Sequence, residues 1–221
     1  MIKLKIQLSK SRLYLVMGTS SVLGMSWLET AEQALRGGVD VLQLRDYSLK
    51  DSELLSAALE MRDLTRKFEA LFIVNNRPDI AKLADADGVH VGQDDLSVSS
   101  ARKILGDGKI VGVSTHALDQ AQKAIADGAD YIGVGPIFVT PTKAGRQPVT
   151  VEYVRQVAAM KPTIPFFAIG GIDLSNLNKV LENGAERIAV VRAIAEAPDP
   201  QKAASEFKKH LKLHPLAATR S

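Results

Sequence analysis

Short runs of apolar, mostly β-branched residues recur along the chain, and each is followed by a longer segment with helical spacing of its apolar positions. The predicted strands are residues 13–17, 39–44, 71–74, 88–91, 110–113, 131–134, 166–169 and 188–191. The predicted helices are residues 26–36, 51–68, 77–84, 97–105, 117–127, 150–160, 175–183 and 200–213. Eight strands that alternate with eight helices predict parallel β/α units.

Glycines mark several of the predicted turns from helix to strand. Gly37, Gly38, Gly128 and Gly184 each follow a helical segment, where a left-handed residue is least costly as glycine. The phrases GGVDVLQL, DGADYIGV and NGAERIAV resemble one another and form a weak internal repeat of this turn. The repeat is what stacked β/α units would produce.

A closed barrel is the favoured arrangement of these units. An open doubly wound sheet usually carries a glycine-rich fingerprint after its first strand, and MGTSSVLG has only a loose glycine pair. The 221 residues suit one α/β barrel, although length alone also allows two small domains. The sequence therefore predicts an α/β fold, a single (β/α)₈ (TIM) barrel over residues 1–221. Residues 1–11 form a short lead in this prediction, and residues 214–221 a frayed tail.

Composition narrows the class of protein. The chain is 46% hydrophobic and 24% charged with a net charge of +3, which is ordinary for a globular protein. The absence of cysteine excludes disulfides, a thiolate nucleophile and thiolate metal sites. No apolar run reaches the roughly 18–20 residues of a membrane span, and no clustered basic face indicates nucleic-acid binding. We expect a cytoplasmic protein with small-molecule partners, no nucleic acid and no membrane, and assembly into a homo-oligomer stays open.

Candidate chemistry concentrates after the predicted strands. The carboxyl ends of barrel strands carry the active site in this architecture. Nearly every predicted strand is followed by polar residues or glycine: Gln43, Arg45, Asn75, Asn76, Arg77, Gln93, Asp94, Asp95, Ser114, Thr115, His116, Thr140, Thr142, Lys143, Arg146, Gly170, Gly171 and Arg192. The common placement of these residues is more informative than any one of them.

This set of side chains suits an anion that is bound together with a metal ion. Arg45 offers a planar fork for phosphate oxygens and Lys143 a compact charge. Asp95, more than Asp94, could hold Mg²⁺, which typically takes one or two carboxylates plus phosphates and waters. Gly170 and Gly171 let backbone N–H groups approach a phosphate closely. The alternative interpretations are a solvated arginine, an acidic helix start and an ordinary glycine turn.

The two histidines nearest the predicted site are interpreted differently. His90 lies inside a strand and is interpreted as a packed barrel residue. His116 follows a strand and could either transfer a proton or simply orient its loop.

The ordered motifs resemble those of the thiamine-phosphate synthase family over nearly the whole chain. They are VLQLRD, GVHVGQDDL, VGVSTH, DYIGVGPIFVTPTK, FAIGGI and ERIAVVRAI. The resemblance implies a Mg²⁺-dependent reaction that joins hydroxymethylpyrimidine diphosphate to thiazole phosphate and releases pyrophosphate first. It implies diphosphate or pyrimidine contacts for Gln43, Arg45, Asn75 and Lys143, a Mg²⁺ ligand in Asp95 with Asn76 beside it, and Ser114 next to the reacting pyrimidine. It implies that Thr140, Thr142, Gly171, Val191 and Arg192 surround the thiazole phosphate, and that Ser114, Lys143 and Arg45 are the catalytic residues.

Two positions depart from the pattern of that family. Tyr47 stands where the family usually has lysine, and Asn76 stands where it usually has aspartate. The first departure removes a cation near the diphosphate, and the second removes a carboxylate from the metal. Each loss could reduce the stabilisation of the transition state by about 1.5–3 kcal/mol. Arg192, where many members have serine, could instead add a phosphate contact.

Other functions remain to be separated from synthesis. A thiazole tautomerase of the related barrel family would use a histidine after the fifth strand, and His116 lies there. A non-catalytic phosphate-binding barrel would explain Tyr47 and Asn76, and another sugar-phosphate barrel enzyme is a more distant alternative.

Overall fold

Eight parallel strands pair in chain order and the eighth pairs with the first, so the sheet closes into a barrel. The computed structural model describes residues 2–140, 147–214 and 216. The strands are β1 (Leu13–Met17), β2 (Val41–Leu44), β3 (Leu71–Asn75), β4 (Gly88–Val91), β5 (Ile110–Thr115), β6 (Tyr131–Val134), β7 (Phe166–Ile169) and β8 (Ile188–Val190). This arrangement confirms the predicted α/β fold and (β/α)₈ barrel.

The helices lie between the strands as predicted, with two additions. They are α1 (Ile2–Lys10), α2 (Trp27–Arg36), α3 (Asp51–Lys67), α4 (Pro78–Leu83), α5 (Val98–Leu105), α6 (Leu118–Ala126), α7 (Thr150–Ala159), α8 (Leu177–Glu182), α9 (Arg192–Ala195) and α10 (Pro200–Leu213). The sequence analysis missed α1, which it interpreted as a lead, and the single turn α9. Among these helices none is both long and apolar enough to cross a membrane. Most of the predicted C-terminal tail lies outside the described residues.

The apolar residues form two layers on opposite faces of the sheet. The larger layer lies between strands and helices, while the smaller fills the barrel interior with side chains that include Leu71, Ile110 and Phe167. Leu8 of α1 belongs to the interior layer and is 1% exposed. Helix α1 therefore helps to fill the barrel from the end at which the strands begin, which explains why residues 2–10 are helical rather than a loose lead.

Three aspartates hold the beginnings of neighbouring strands together. Asp40, Asp87 and Asp130 each precede an even-numbered strand, and each carboxylate accepts backbone N–H bonds at the start of the preceding strand, at 2.8–2.9 Å. Because a parallel strand start leaves backbone donors without a ladder partner, a carboxylate at this place satisfies them. The same contact between an aspartate and the backbone therefore occurs at three places in the barrel. At β8 the corresponding residue is Arg187, which donates to the Ser9 carbonyl instead.

Each of these aspartates also has a basic partner. Lys208 bonds Asp40, Arg62 bonds Asp87, and Arg102 bonds Asp130, all at 2.7 Å. These cations come from surrounding helices, so the charge pairs tie the helical layer to the barrel. Asp87 is buried, so removing Arg62 would leave its charge poorly compensated, which is more costly than losing a surface pair.

Gly112 in β5 supplies the space that the ring of Tyr131 occupies inside the barrel. A Cβ atom at Gly112 would lie 2.0 Å from a ring carbon of Tyr131. We therefore expect Gly112→Ala to destabilise the fold by about 1–3 kcal/mol through overpacking, measured by urea denaturation. Gly108→Ala is the control, because no atom lies within 4 Å of its added Cβ. Equal stability of the two variants would contradict this account of the interior.

Candidate active site

A cavity of about 480 Å³ opens at the carboxyl ends of the strands. Eight of the residues to which the family resemblance gives a role line it, namely Gln43, Arg45, Asn75, Ser114, Thr140, Gly171, Val191 and Arg192. Their convergence follows from the closed sheet, because the carboxyl ends of all strands of a barrel meet on one face. Thr142 and Lys143 lie outside the described residues, so their predicted roles stay predictions.

Three aromatic rings form the floor of the cavity. Phe167 meets Tyr14 and Tyr131 edge to face, with ring centres 5.2 and 5.6 Å apart. All three side chains are no more than 2% exposed, yet all three border the cavity. The rings therefore divide the tightly filled lower barrel from the open upper barrel.

A chain of hydrogen bonds crosses the barrel just above this floor. The Gln43 amide donates to the Tyr14 hydroxyl over 2.5 Å, and the Tyr14 and Tyr131 hydroxyls lie 2.8 Å apart. The Tyr131 hydroxyl lies 2.9 Å from His90 Nδ1, and His90 Nε2 lies 2.8 Å from Ser114 Oγ. Burial raises the pKa of both tyrosines above the ordinary value of 10, so both hydroxyls keep their protons.

His90 packs against Tyr131 inside the barrel, as its interpretation from the sequence expected, and it also borders the cavity. Its ring lies in the cavity wall and contacts Tyr131 and Ser114 through its two nitrogens. Tyr14 and Tyr131 are further site residues that the sequence analysis missed. Each stands inside an apolar run, where tyrosine is ordinary packing. The signal that could have found them is that Tyr14, His90 and Tyr131 place polar atoms at inward-facing positions of three different strands.

His116 also borders the cavity, at the end of β5. Its Nδ1 bonds the Gly135 carbonyl, and its backbone N–H donates to the Gln120 side chain over 2.9 Å. Since Nδ1 meets a carbonyl, which can only accept, that nitrogen carries a proton. Both contacts fit the interpretation in which His116 orients its loop.

Tyr47 joins two of the predicted anion-binding residues at the cavity rim. The guanidinium carbon of Arg45 lies 4.7 Å from the centre of the Tyr47 ring. Asn75 Nδ2 donates to the Tyr47 hydroxyl over 3.0 Å, which leaves the hydroxyl proton for an outside acceptor. The tyrosine thus replaces the lysine charge that the family usually has by a ring against Arg45 and a hydroxyl donor.

Asn76 and Asp95 meet at the outer edge of the site, beyond the cavity lining. Asn76 Nδ2 donates to Asp95 Oδ1 over 2.9 Å, and the Gly92 N–H donates to Asp95 Oδ2 over 2.7 Å. Asn76 adopts a left-handed backbone with φ of 50°, which asparagine tolerates better than most residues. Within the described chain no cluster of three acidic or histidine ligands exists. One carboxylate nevertheless fits Mg²⁺ that completes its shell with phosphate and water, and Asn76 would join it by turning its amide oxygen, in place of Nδ2, towards Asp95.

The glycine pair after β7 has a packing role that can be assigned directly. A Cβ atom at Gly170 would lie 2.5 Å from Pro136, and one at Gly171 would lie 2.8 Å from the Val139 carbonyl oxygen. Both glycines have positive φ, and the Gly170 carbonyl accepts from the Phe138 N–H over 3.0 Å. The pair therefore lets the segment after β6 cross closely above β7, which brings Thr140 to the cavity.

Asp46 fixes the loop that carries Arg45 and Tyr47. Its carboxylate accepts backbone and hydroxyl bonds from both Thr19 and Ser48, at 2.6–2.9 Å. Partial burial acts to raise the pKa of Asp46, but these hydrogen bonds outweigh it and lower the pKa from 3.8 to about 2. The first and second loops of the rim are thus joined through one carboxylate.

Known proteins are similar to this chain over most of its length. A family profile described as "Thiamine monophosphate synthase" matches residues 13–194. Thiamine-phosphate synthase of Synechocystis sp. is 47% identical over 205 residues, which are 93% of this chain and 58% of that protein. Thiamine-phosphate synthase of Thermus thermophilus is 46% identical over 201 residues, which are 90% of this chain and 97% of that protein.

A solved structure with the same architecture agrees. It is thiamine phosphate pyrophosphorylase from Pyrococcus furiosus, with a TM-score of 0.84 and 32% identity, covering 95% of this chain and 98% of that one. The chain spans between a half and two thirds of the length of the cyanobacterial relatives that it matches.

Asp46 should make stability depend on pH in the acid range. Because folding lowers its pKa from 3.8 to about 2, its contribution is present above pH 3.8 and is lost as the pH falls through about 2. Asp46→Asn should lower the free energy of unfolding by about 1–2 kcal/mol at neutral pH, and the difference from wild type should shrink towards pH 2. Urea denaturation at several pH values measures it, with the exposed Asp107→Asn as control. A gap that stays constant with pH would contradict the assignment.

Proposed function

Because the chain belongs to the thiamine monophosphate synthase family, we propose that it joins hydroxymethylpyrimidine diphosphate to thiazole phosphate, forming thiamine phosphate and pyrophosphate. The observation that carries the proposal is a cavity whose floor suits a flat, polar ring and whose rim suits anions. The proposed partners are therefore small molecules. A cytoplasmic location belongs to the same proposal, and the absence of cysteine suits a reducing compartment.

The proposed reaction exchanges one bond for another without a net proton transfer. The bond between the pyrimidine methylene carbon and the diphosphate oxygen breaks, and its electron pair leaves with pyrophosphate. The thiazole nitrogen then donates its lone pair to that carbon. The residues of the site need only hold the two reactants in line and stabilise the charge on the leaving group.

The diphosphate would lie against the rim formed by Arg45, Tyr47 and Asn75. The Arg45 guanidinium, held on the Tyr47 ring, provides the positive charge, and the Tyr47 hydroxyl provides a donor. Asp95, with the Asn76 amide oxygen, would hold Mg²⁺, which supplies Lewis-acid stabilisation of the departing diphosphate when it is bound. Lys143 would add a further charge, as the family resemblance implies.

The thiazole phosphate would lie on the other side of the cavity. Gly171, Val191 and Arg192 line this side together with Thr140. Glycine at 171 leaves the backbone accessible, and the exposed Arg192 can approach a phosphate without being removed from solvent. The two anions would thus bind at separate parts of the rim, with the reacting atoms between them and Ser114 beside the pyrimidine.

The direct test is turnover by the purified protein. Incubation with both substrates and Mg²⁺ should yield thiamine phosphate and an equal amount of pyrophosphate, measured by chromatography and a pyrophosphate assay. No product at high enzyme concentration would overturn the proposal. Isomerisation of a thiazole carboxylate phosphate that His116→Ala abolishes would support the tautomerase instead.

The Asn76 position should control the requirement for Mg²⁺. Asn76→Asp replaces a neutral amide 2.9 Å from Asp95 by a second carboxylate, so repulsion should favour a divalent cation between them. We expect the Mg²⁺ concentration for half-maximal rate to fall about ten-fold, which corresponds to about 1.4 kcal/mol. Asn183→Asp, the same change at the opposite end of the barrel, is the control. An unchanged Mg²⁺ requirement in Asn76→Asp would remove Asn76 from the metal site.

The Tyr47 side chain should affect binding of the diphosphate substrate more than the rate of its conversion. Tyr47→Ala removes both the ring under Arg45 and the hydroxyl beside Asn75. An exposed cation–π contact is worth about 0.5–1 kcal/mol, so KM for the diphosphate should rise roughly two- to five-fold. Tyr47→Phe keeps the ring and should show only the hydroxyl's part of this effect. A KM that stays at the wild-type value in Tyr47→Ala would show that the contact has no role in binding.

A further inference from the structure

The hydrogen-bond chain above the cavity floor has a fixed starting direction. It runs from Gln43 through Tyr14, Tyr131 and His90 to Ser114, and its members come from five different strands. The first bond starts at Gln43 Nε2, and an amide nitrogen can only donate. The Tyr14 oxygen is therefore an acceptor in that bond.

This first direction determines the second. Tyr14 has one proton, is 2% exposed, and has Tyr131 as the acceptor that the described residues offer it. If Tyr131 donated to Tyr14 instead, the Tyr14 proton would be buried without a partner, at a cost of about 1–3 kcal/mol. Tyr14 consequently donates to Tyr131.

The directions of the remaining two hydrogen bonds follow from the same argument. Tyr131 accepts from Tyr14, so its own proton goes to His90 Nδ1. A neutral imidazole with Nδ1 as acceptor carries its proton on Nε2, and this N–H donates to Ser114 Oγ. Ser114 then accepts from His90 and has its hydroxyl proton left for a group in the cavity that it lines.

We propose that Tyr131, directed by Gln43 and Tyr14, is a positioning residue that holds His90 as the Nε2–H tautomer and so presents the Ser114 hydroxyl to the substrate as a hydrogen-bond donor. In this arrangement His90 does not take the Ser114 proton, because its Nε2 is already protonated. Ser114 accordingly acts as a fixed donor to the pyrimidine, and not as a nucleophile activated by a base. The kinetic part of the test depends on the proposed function, whereas the tautomer can be observed without turnover.

The tautomer is tested first, by ¹⁵N NMR of the histidine side chains at a pH of about 8, above the ordinary imidazole pKa of about 6.5. The chain has four histidines, and His90→Gln identifies the signals of His90. We expect Nε2–H in the wild-type protein and a shift towards Nδ1–H in Tyr131→Phe, which removes the donor to Nδ1. Tyr153→Phe is the matched control, because it removes a hydroxyl that lies 2.8 Å from Thr115 and outside this chain. A wild-type Nδ1–H tautomer, or no change in Tyr131→Phe, would overturn the proposal.

A double-mutant cycle then tests whether Tyr131 acts through Ser114. Ser114→Ala and Tyr131→Phe should each lower kcat/KM at least about ten-fold. The double variant should be no slower than Ser114→Ala, because the positioned hydroxyl is already absent. Effects that multiply would mean that Tyr131 acts independently, which contradicts the proposal. If the wild-type protein makes no thiamine phosphate, the proposed function fails, and the NMR result alone decides this inference.

Discussion

The interior of an eight-stranded parallel barrel has to be filled, and the way in which this chain fills it determines the site. Such a barrel is just wide enough for side chains to close it. Leu8 of α1 and the inward aliphatic residues fill the lower part, and Tyr14, Tyr131 and Phe167 close the middle. The cavity is the upper part that remains, and its floor is polar because two of the three rings carry hydroxyl groups. The rings that fill the middle of the barrel therefore also form the floor of the site.

The sequence predicted the strands well because their burial on both faces makes each a continuous apolar run. All eight predicted runs overlap the observed strands. The largest differences are two residues each: β5 ends at Thr115 rather than residue 113, and β2 starts at Val41 rather than residue 39. Asp40 explains this difference, since its carboxylate bonds Arg12 and Leu13 instead of continuing a ladder. Helix α1 was missed because its alternating charges hide the contact of Leu8 with the barrel interior, which only the closed fold creates.

Site residues could be predicted where their place at a strand end brings them to the site. They could not be predicted where a contact between residues distant in the sequence brings them there. Gln43, Asn75 and Ser114 could be found because they end strands, and strand ends converge in any parallel barrel. The bond between Tyr14 and Tyr131 joins residues 117 positions apart and has no local signal. Tyr47 and Asn76 illustrate the same limit, since each looks like a lost charge in the sequence. In the fold each of them contacts a neighbouring charged residue of the site: Tyr47 lies against Arg45, and Asn76 bonds Asp95.

The site has two environments, and their chemistry differs accordingly. Near the floor, hydrogen bonds lie between buried groups, where each is electrostatically strong and an unmet partner is costly. Polar side chains there are held in one arrangement, which suits recognition of a ring by fixed donors and acceptors. At the rim, Tyr47, Asp95 and Arg192 are exposed, so their contacts are individually weak and exchange readily with solvent. In the proposed reaction the leaving group has to depart after the bond breaks, and several such weak contacts would bind it without slowing its release as one buried charge would.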